Sequence, residues 1–489
     1  MQPTTTIGAG SGERADNSRR PLCVDLDGTL LKTDLLWEAA LALAKTNVRA
    51  LLTTPFWLLK GRAHLKRQIA ESGTLDPRLL PYRQEVLSLI SEERARGRKI
   101  VLVSAADEIF AREVAAHLGC FDEVIASDGT RNLKGSTKAE LLTQRFGAKG
   151  FDYIGDHDAD LHVWRAAQAG VVVSANRRLL RRAEALGSVR RMKLEKDASW
   201  KTWINAMRLH QWSKNVLVLV PVITSHRLEE PAILLLAAIA FFAFGLVSSS
   251  VYLVNDLLDL AADRGHARKR SRPFASGSLA LPSGVMLAGL LLVSGLSLAS
   301  FGGFEFLAML VGYYGANIAY SSYLKRIVAL DVLILAGFYT LRIYSGGAAT
   351  GIGVSAWLLA FSMFFFLSLA LVKRYSELRG EAPEAILRET GRGYVASDLP
   401  ALGSFGISSG FISVLVLVLY VMSPEVTLLY LHPQRLLFVC PLLLYWIGRI
   451  WMRTTRGTMH EDPVVFALTD RISYGLGLLA GLAVMIAAV

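Results

Sequence analysis

A chain of 489 residues with 52% hydrophobic residues and a mean hydropathy of +0.38 is too apolar for an ordinary soluble protein. The apolarity is uneven: residues 1–200 are mixed and charged, whereas most of 201–489 is apolar runs between short polar loops, which predicts one soluble domain and one polytopic membrane domain. The net charge of +12 comes with no basic–aromatic nucleic-acid module and fits loops facing anionic lipids and substrates; Cys23, Cys120 and Cys440 lie far apart, which excludes a zinc site or disulfide framework.

Residues 1–20 lack an apolar core segment and read as a disordered tail, not a signal peptide, so the first domain is expected in the cytoplasm. Leu22 to Asp25 then reads as a buried strand, with Asp27-Gly28-Thr29 marking a turn. A strand-end aspartate can attack phosphorus, and a second one two residues on points the same way. A lone DxD is weak, since turn aspartates are common. Later features strengthen it: a strand Lys99 to Val103 ending in Ser104, Lys138 opening a helical stretch (with Lys134 its rival), and a strand ending at Asp156, followed by Asp160. Together with VDLDGTL, this order resembles the haloacid-dehalogenase-type (HAD) phosphatases. The resemblance implies a Rossmann-like α/β fold over 21–176, with a helical cap over about 35–98. It makes Asp25 the nucleophile, Asp27 the proton shuttle, Ser104 and Lys138 phosphoryl-binding groups, and Asp25, Asp156 and Asp160 ligands of Mg²⁺. No motif residue is missing, so an active phosphatase is expected. For the apolar LLTTPFWLL, Leu51 to Leu59, ordinary cap packing is favoured over resting on a membrane surface.

Gly170 to Ser174 reads as the last core strand, and 177–200 as a basic juxtamembrane linker carrying Arg177, Arg178, Arg181, Arg182, Arg190, Arg191, Lys193 and Lys196. Trp200, Trp203 and Trp212 mark an interfacial helix. About nine hydrophobic helices follow within 201–489, near 206–224, 231–254, 283–301, 305–323, 328–346, 354–373, 404–423, 434–452 and 470–488. Alternate loops carry Arg264 to Arg272, Lys325-Arg326, Lys373-Arg374 and Arg453-Arg456, whereas Gly346 to Ser355 is almost uncharged. The positive-inside rule then puts the N-terminal domain in the cytoplasm of a bacterial inner membrane protein.

The segment Asn255 to Pro273, NDLLDLAADRGHARKRSRP, places Asp256, Asp259 and Asp263 at i, i+3 and i+7, on one face of a helix. Hard oxygen ligands on one face suit Mg²⁺ shared with substrate phosphates, and the basic tail suits phosphate oxygens. A solvated positive loop explains the arginines but not the aspartate spacing. NDxxDxxxD with RPxxxG resembles the first aspartate-rich motif of the UbiA superfamily of intramembrane prenyltransferases; QWSKN, YSSYLK, LRIYSGG and DPVVFALTDR extend the resemblance to its decaprenyl-phosphate phosphoribosyltransferase branch. It implies Mg²⁺ on Asn255, Asp256, Asp259 and Asp263, with Asp256 and Asp259 catalytic. Substrate would be bound by Lys214, Arg264, Lys269, Arg270, Arg272, Tyr320, Lys325, Arg342, Lys373 and Arg374. Arg342 lies mid-helix, where an unpaired charge is costly, and so faces a cavity; helix-end snorkelling is the rival reading for Lys325 and Lys373.

An ordinary member needs a second aspartate-rich motif, but that place reads LVKRYSEL, Leu371 to Leu378, with Glu377 its only carboxylate. One metal–diphosphate site plus a basic site suits phosphoribosyl diphosphate as donor and a polyprenyl phosphate as acceptor. The phosphatase would then remove the 5′-phosphate of the lipid-linked product. The alternatives are a prenyltransferase joining a polyprenyl diphosphate to an aromatic acceptor, and a membrane anchor for a phosphatase. Membrane lipids are expected partners, nucleic acid is not, and homo-oligomerisation stays open.

Overall fold

The computed structural model describes residues 20–194, 199–380, 393–424, 426, 430–459, 463–467 and 469–488. Residues 1–19 of the tail expected over 1–20, Lys196 of the basic stretch and Asp462 lie outside the described residues. The chain divides into two compact units, one of Met1–Ala206 with Asp256–Met286, the other of Met207–Asn255 with Leu287–Val489. The aspartate-rich segment thus groups with the N-terminal domain, not with the apolar helices on either side of it in sequence.

The first unit is built on a six-stranded parallel sheet in the order β3-β2-β1-β4-β5-β6. Its strands are β1 (Leu22–Val24), β2 (Ile100–Asp107), β3 (Glu123–Ser127), β4 (Asp152–Gly155), β5 (Gly170–Val172) and β6 (Val189–Arg191). The central strands are short apolar runs because both sheet faces are covered. Val24, Leu102 and Ile154 enter one core and Cys23, Val101, Val103 and Tyr153 the other, as a period of two requires. Crossovers run outward from β1 on one side and from β4 on the other, so the carboxyl ends of β1 and β4 flank the switch point where ligands bind in such sheets.

Between β1 and β2 lie the helices α1 (Leu35–Thr46), α2 (Val48–Leu52), α3 (Thr54–Leu59), α4 (Arg62–Ser72) and α5 (Gln84–Ala95); α6 (Glu108–Leu118), α7 (Ser136–Phe146), α8 (Leu161–Ala166) and α9 (Arg177–Glu184) complete the layers. Two expectations change here. The last strand is β6, paired parallel with β5 from Gly170↔Val189 onward. The basic stretch is therefore largely part of the α/β domain instead of a linker: Leu179, Leu180 and Ala183 on one face of α9 are buried, while its arginines occupy the opposite face. Within LLTTPFWLL, Trp57 packs against the core but Phe56, Leu58 and Leu59 are exposed.

Within the first unit, the Arg264 guanidinium donates to both oxygens of Glu38 at 2.6 and 3.0 Å, and both side chains are buried. Removing one partner of a buried pair strands the other charge and typically costs about 3–5 kcal/mol. Arg264→Ala and Glu38→Ala are each expected to destabilise this unit by about that amount, read as earlier thermal loss of phosphatase turnover than in the wild type. Unchanged thermal inactivation in both variants would refute the expectation.

In the second unit the helices are apolar. Among the described residues six are long and apolar enough to cross a membrane: Pro231–Leu258, Leu281–Gly302, Leu330–Thr350, Ala356–Arg379, Ala396–Val421 and Pro433–Thr455. Three of the nine expected spans do not qualify. Residues 209–219 form a 3₁₀ segment between two short helices, Phe304–Ser322 is diluted by Tyr313, Tyr314, Asn317 and Tyr320, and Arg471–Ala487 is short.

Candidate active sites

Asp25 follows β1 directly, and its Oδ1 accepts the Leu26 N–H at 2.9 Å and the Lys138 Nζ at 2.9 Å. Lys138, on the first turn of α7, is 3% exposed and also donates to the Tyr153 hydroxyl at 2.8 Å. That hydroxyl donates to Asp160 Oδ1 at 2.9 Å, and Asp160 Oδ2 accepts the backbone N–H groups of Asp156 and His157. Burial disfavours the Lys138 ammonium, but Asp25 and Asp160 outweigh it and hold its pKa above the usual value. Lys134, the rival, is exposed.

Ligand atoms of Asp25, Asp156 and Asp160 lie within 4.8 Å of one another. Burial pushes the Asp25 carboxyl up to about 6 against the pull of Lys138, and pushes Asp156, beside Asp25 and Asp160, up to about 8. Three mutually repelling carboxylates in one half-dry pocket are a donor set that fits a hard divalent cation. Gly28 makes the cluster possible: its φ is +75°, and a Cβ there would lie 2.2 Å from Asp156 Oδ2. Asp27 accepts the Leu35 N–H at 3.0 Å, and burial, with Asp34 nearby, pushes its carboxyl well above the usual range, as a proton donor at neutral pH requires. Ser104 is fully buried within β2, which runs on to Asp107 instead of ending at Ser104 as expected, and its hydroxyl accepts the Ala106 N–H.

Two partners escaped sequence reading. Tyr153 ties Lys138 to Asp160, and Lys66 on α4 donates to Ala105 O at 2.6 Å and Asn132 at 3.0 Å, beside the Ser104 loop. A tyrosine inside an apolar strand and one lysine among many carry no local signal.

At the aspartate-rich segment the helix Pro231–Leu258 ends one residue before Asp259, and a new helix, Leu260–Gly265, begins after it. Asp256 and Asp263, both buried, stay on one side and share the Arg272 guanidinium at 3.1 and 2.8 Å. The break redirects Asp259, whose Oδ1 accepts Lys45 Nζ from α1 at 2.6 Å. Two of the three carboxylates therefore converge, one fewer than unbroken helical spacing predicts. Among the described residues only the Asp25 set brings three ligand atoms together. The Asn255 Oδ1 is buried with no hydrogen-bond partner, beside Asp256 in sequence. Hard oxygen donors of these types are the kind that suit Mg²⁺.

The basic residues are not equivalent. Arg264 and Arg272 are paired with carboxylates, and Arg264 and Arg270 both line a cleft of about 450 Å³ with Lys32, Arg78, Tyr82 and Ser276. Lys269 sits in the adjoining 3₁₀ turn. Gly277 has φ +71°, and a Cβ there would meet the Lys32 Cβ at 2.5 Å, which accounts for the glycine of RPxxxG.

In the second unit Arg342 is 4% exposed, and among the described residues no carboxylate pairs with it. Its guanidinium donates to Phe338 O, the Tyr313 hydroxyl and Asn215 Oδ1, and lies 5.1–5.7 Å from the ring centroids of Phe244, Tyr313 and Tyr339. Lys214 lies 5.8 Å from the Tyr339 ring centroid, and the Asn215 Nδ2 is buried without a partner. A buried cation with donors to spare suits an anion. Arg374, by contrast, is buried against Asp331 at 2.6 Å and Glu377, and Asp331 also accepts the Tyr394 hydroxyl. The Arg374 Nε is buried without a hydrogen-bond partner. Tyr320 packs edge-on against Phe338, Lys325 lies in the 3₁₀ turn after Phe304–Ser322, and Lys373 lies near the end of Ala356–Gly380.

Residues 22–165 match the haloacid dehalogenase-like hydrolase family, and residues 217–472 match the UbiA prenyltransferase family. The chain is 38% identical over 471 residues to the uncharacterized protein y4nM of Sinorhizobium fredii, covering 96% of this chain and 91% of that protein. It is 36% identical over 294 residues to the nodulation protein NoeC of Azorhizobium caulinodans, covering 58% of this chain and 92% of that one. It is 34% identical over 201 residues to the decaprenyl-phosphate phosphoribosyltransferase of Mycolicibacterium smegmatis, covering 40% of this chain and 63% of that enzyme.

Proposed function

Because the chain belongs to the UbiA prenyltransferase family and carries an N-terminal HAD-like domain, we propose that this integral membrane protein transfers 5-phosphoribose from phosphoribosyl diphosphate to a polyprenyl phosphate and then dephosphorylates the product. The observation that carries the reading is the 34% identity to a decaprenyl-phosphate phosphoribosyltransferase. The residues support it. Where a second aspartate-rich motif would stand, Glu377 is the only carboxylate, and it is bound to Arg374. That leaves one carboxylate set for one diphosphate, which disfavours ionisation of a prenyl diphosphate through two such sets.

In this reading Asn255, Asp256, Asp259 and Asp263 would hold Mg²⁺ on the donor diphosphate, where it would stabilise the departing group as charge develops on the ribose. Lys214 and Arg342 bind the acceptor phosphate, and the cations of residues 264–272 offset the charge of the donor. In the first unit, Asp25 attacks the 5′-phosphorus while Asp27 protonates the leaving ribose oxygen. Asp27 next takes a proton from the water that cleaves the aspartyl-phosphate, and Lys138 balances the phosphoryl charge throughout. Asp25, Asp156 and Asp160 hold the second Mg²⁺. The positive loops support a bacterial inner membrane location with the phosphatase in the cytoplasm.

Purified protein supplied with Mg²⁺, labelled phosphoribosyl diphosphate and either polyprenyl phosphates or aromatic acids tests the assignment. Label should enter lipid only with a polyprenyl phosphate. Prenylation of an aromatic acid from a prenyl diphosphate would replace the proposal. Arg342→Ala should raise the KM for polyprenyl phosphate about tenfold to a hundredfold, since each charge-assisted contact contributes about 1.5–3 kcal/mol; an unchanged KM would return Arg342 to helix packing.

A further inference from the structure

Four large apolar side chains lie exposed within eight residues of the phosphatase cap: Leu52 (72%), Phe56 (67%), Leu58 (51%) and Leu59 (84%). Trp57 between them packs inward and fixes the orientation of α3, so its neighbours point outward on a held surface. A soluble domain rarely leaves such a cluster uncovered. The flanks carry one sign of charge. Residues 39–70 contain no Asp or Glu, and Arg49, Lys60 and Arg62 beside the apolar cluster are exposed. Their position in the chain is also informative. Lys45, at the end of α1, is ion-paired at 2.6 Å with Asp259, the residue next after the apolar helix Pro231–Leu258. The exposed cluster begins seven residues after Lys45, in the same helical cap that carries this ion pair.

We propose that α2 and α3 form a membrane-docking surface, with Leu52, Phe56, Leu58 and Leu59 seated at the headgroup–acyl boundary of an anionic bilayer and Arg49, Lys60 and Arg62 on lipid phosphates. Apolar tips flanked by basic residues are the composition that binds in the interface plane without crossing it. Anionic lipid is favoured over a protein partner because the whole stretch lacks acidic residues and is flanked by exposed basic ones, in a chain that also carries apolar helices long enough to cross a membrane. The docking holds the cap at the depth where a lipid-linked phosphate emerges, so it acts on access to substrate and not on the chemistry.

The test uses the full chain in liposomes containing phosphatidylglycerol. Cys23 and Cys440 are buried, so Phe56→Cys in a Cys120→Ser background accepts an environment-sensitive fluorophore; Glu113→Cys on the exposed face of α6 is the control. Label at position 56 should be quenched by brominated lipid and shielded from aqueous iodide, and label at 113 should behave oppositely. Iodide quenching at both positions would overturn the proposal. So would shielding at 56 that persists in detergent without quenching by brominated lipid, since a second copy of the chain would then be the cover. These readouts do not depend on the transferase assignment. A kinetic arm does rest on that assignment: Leu52→Ser/Phe56→Ser/Leu59→Ser should lower kcat/KM for the lipid-linked phosphate at least tenfold while p-nitrophenyl phosphate turnover is unchanged. Equal rates on the lipid-linked substrate in wild type and variant would also overturn docking.

Discussion

Asp25→Asn is expected to leave transfer intact while the lipid product keeps its 5′-phosphate, with phosphate release falling by at least about a thousandfold. An amide cannot form the aspartyl-phosphate, yet it nearly preserves shape at a residue only 7% exposed. Lys138 is not stranded by the change, because the Tyr153 hydroxyl stays at 2.8 Å and Asp160 at 3.8 Å, so the fold should hold. Mass spectrometry of the extracted lipid separates the outcomes by one phosphate group. Wild type should release inorganic phosphate in addition to diphosphate, and only once acceptor lipid is supplied. If wild type and variant both yield only the phosphorylated lipid while the wild type hydrolyses a generic ester, the two activities are not consecutive.

Asp256→Asn should produce the converse pattern. Formation of the lipid-linked phosphoribose should fall by at least about a thousandfold, since losing a metal-bound carboxylate removes several kcal/mol of stabilisation from the leaving diphosphate. Hydrolysis of a soluble ester by the phosphatase should survive. The variant should fold, because Arg272 keeps its 2.8 Å contact with Asp263. Near-normal lipid product at saturating Mg²⁺ would remove Asp256 from the site.

Sequence alone determined whatever rests on local pattern. The strand-end aspartates were legible because a buried parallel strand is a short apolar run, and the residue after it faces the ligand edge of the sheet. Asp25 and Asp156 follow β1 and β4 in that way. Six of the nine expected spans were legible too: among the described residues they are long and apolar enough to cross a membrane, the two properties a bilayer demands. Tertiary structure decided what depends on partners distant in the chain. Arg264 meets Glu38 and Arg374 meets Asp331, and no periodicity announces which buried cation finds a carboxylate and which, like Arg342, is held by a carbonyl, an amide and a hydroxyl among the described residues. Lys138 rather than Lys134 reaches Asp25 because Lys138 lies on the buried face of α7, whereas Lys134 lies exposed in the loop before it. The break at Asp259 is of the same kind: helical spacing favoured three carboxylates on one face, but the ion pair with Lys45 takes one of them to another element. Periodicity acts over a few residues, whereas compensation of a buried charge acts across the whole fold. Only the fold could separate the residues that hold the protein together from those free to bind substrate.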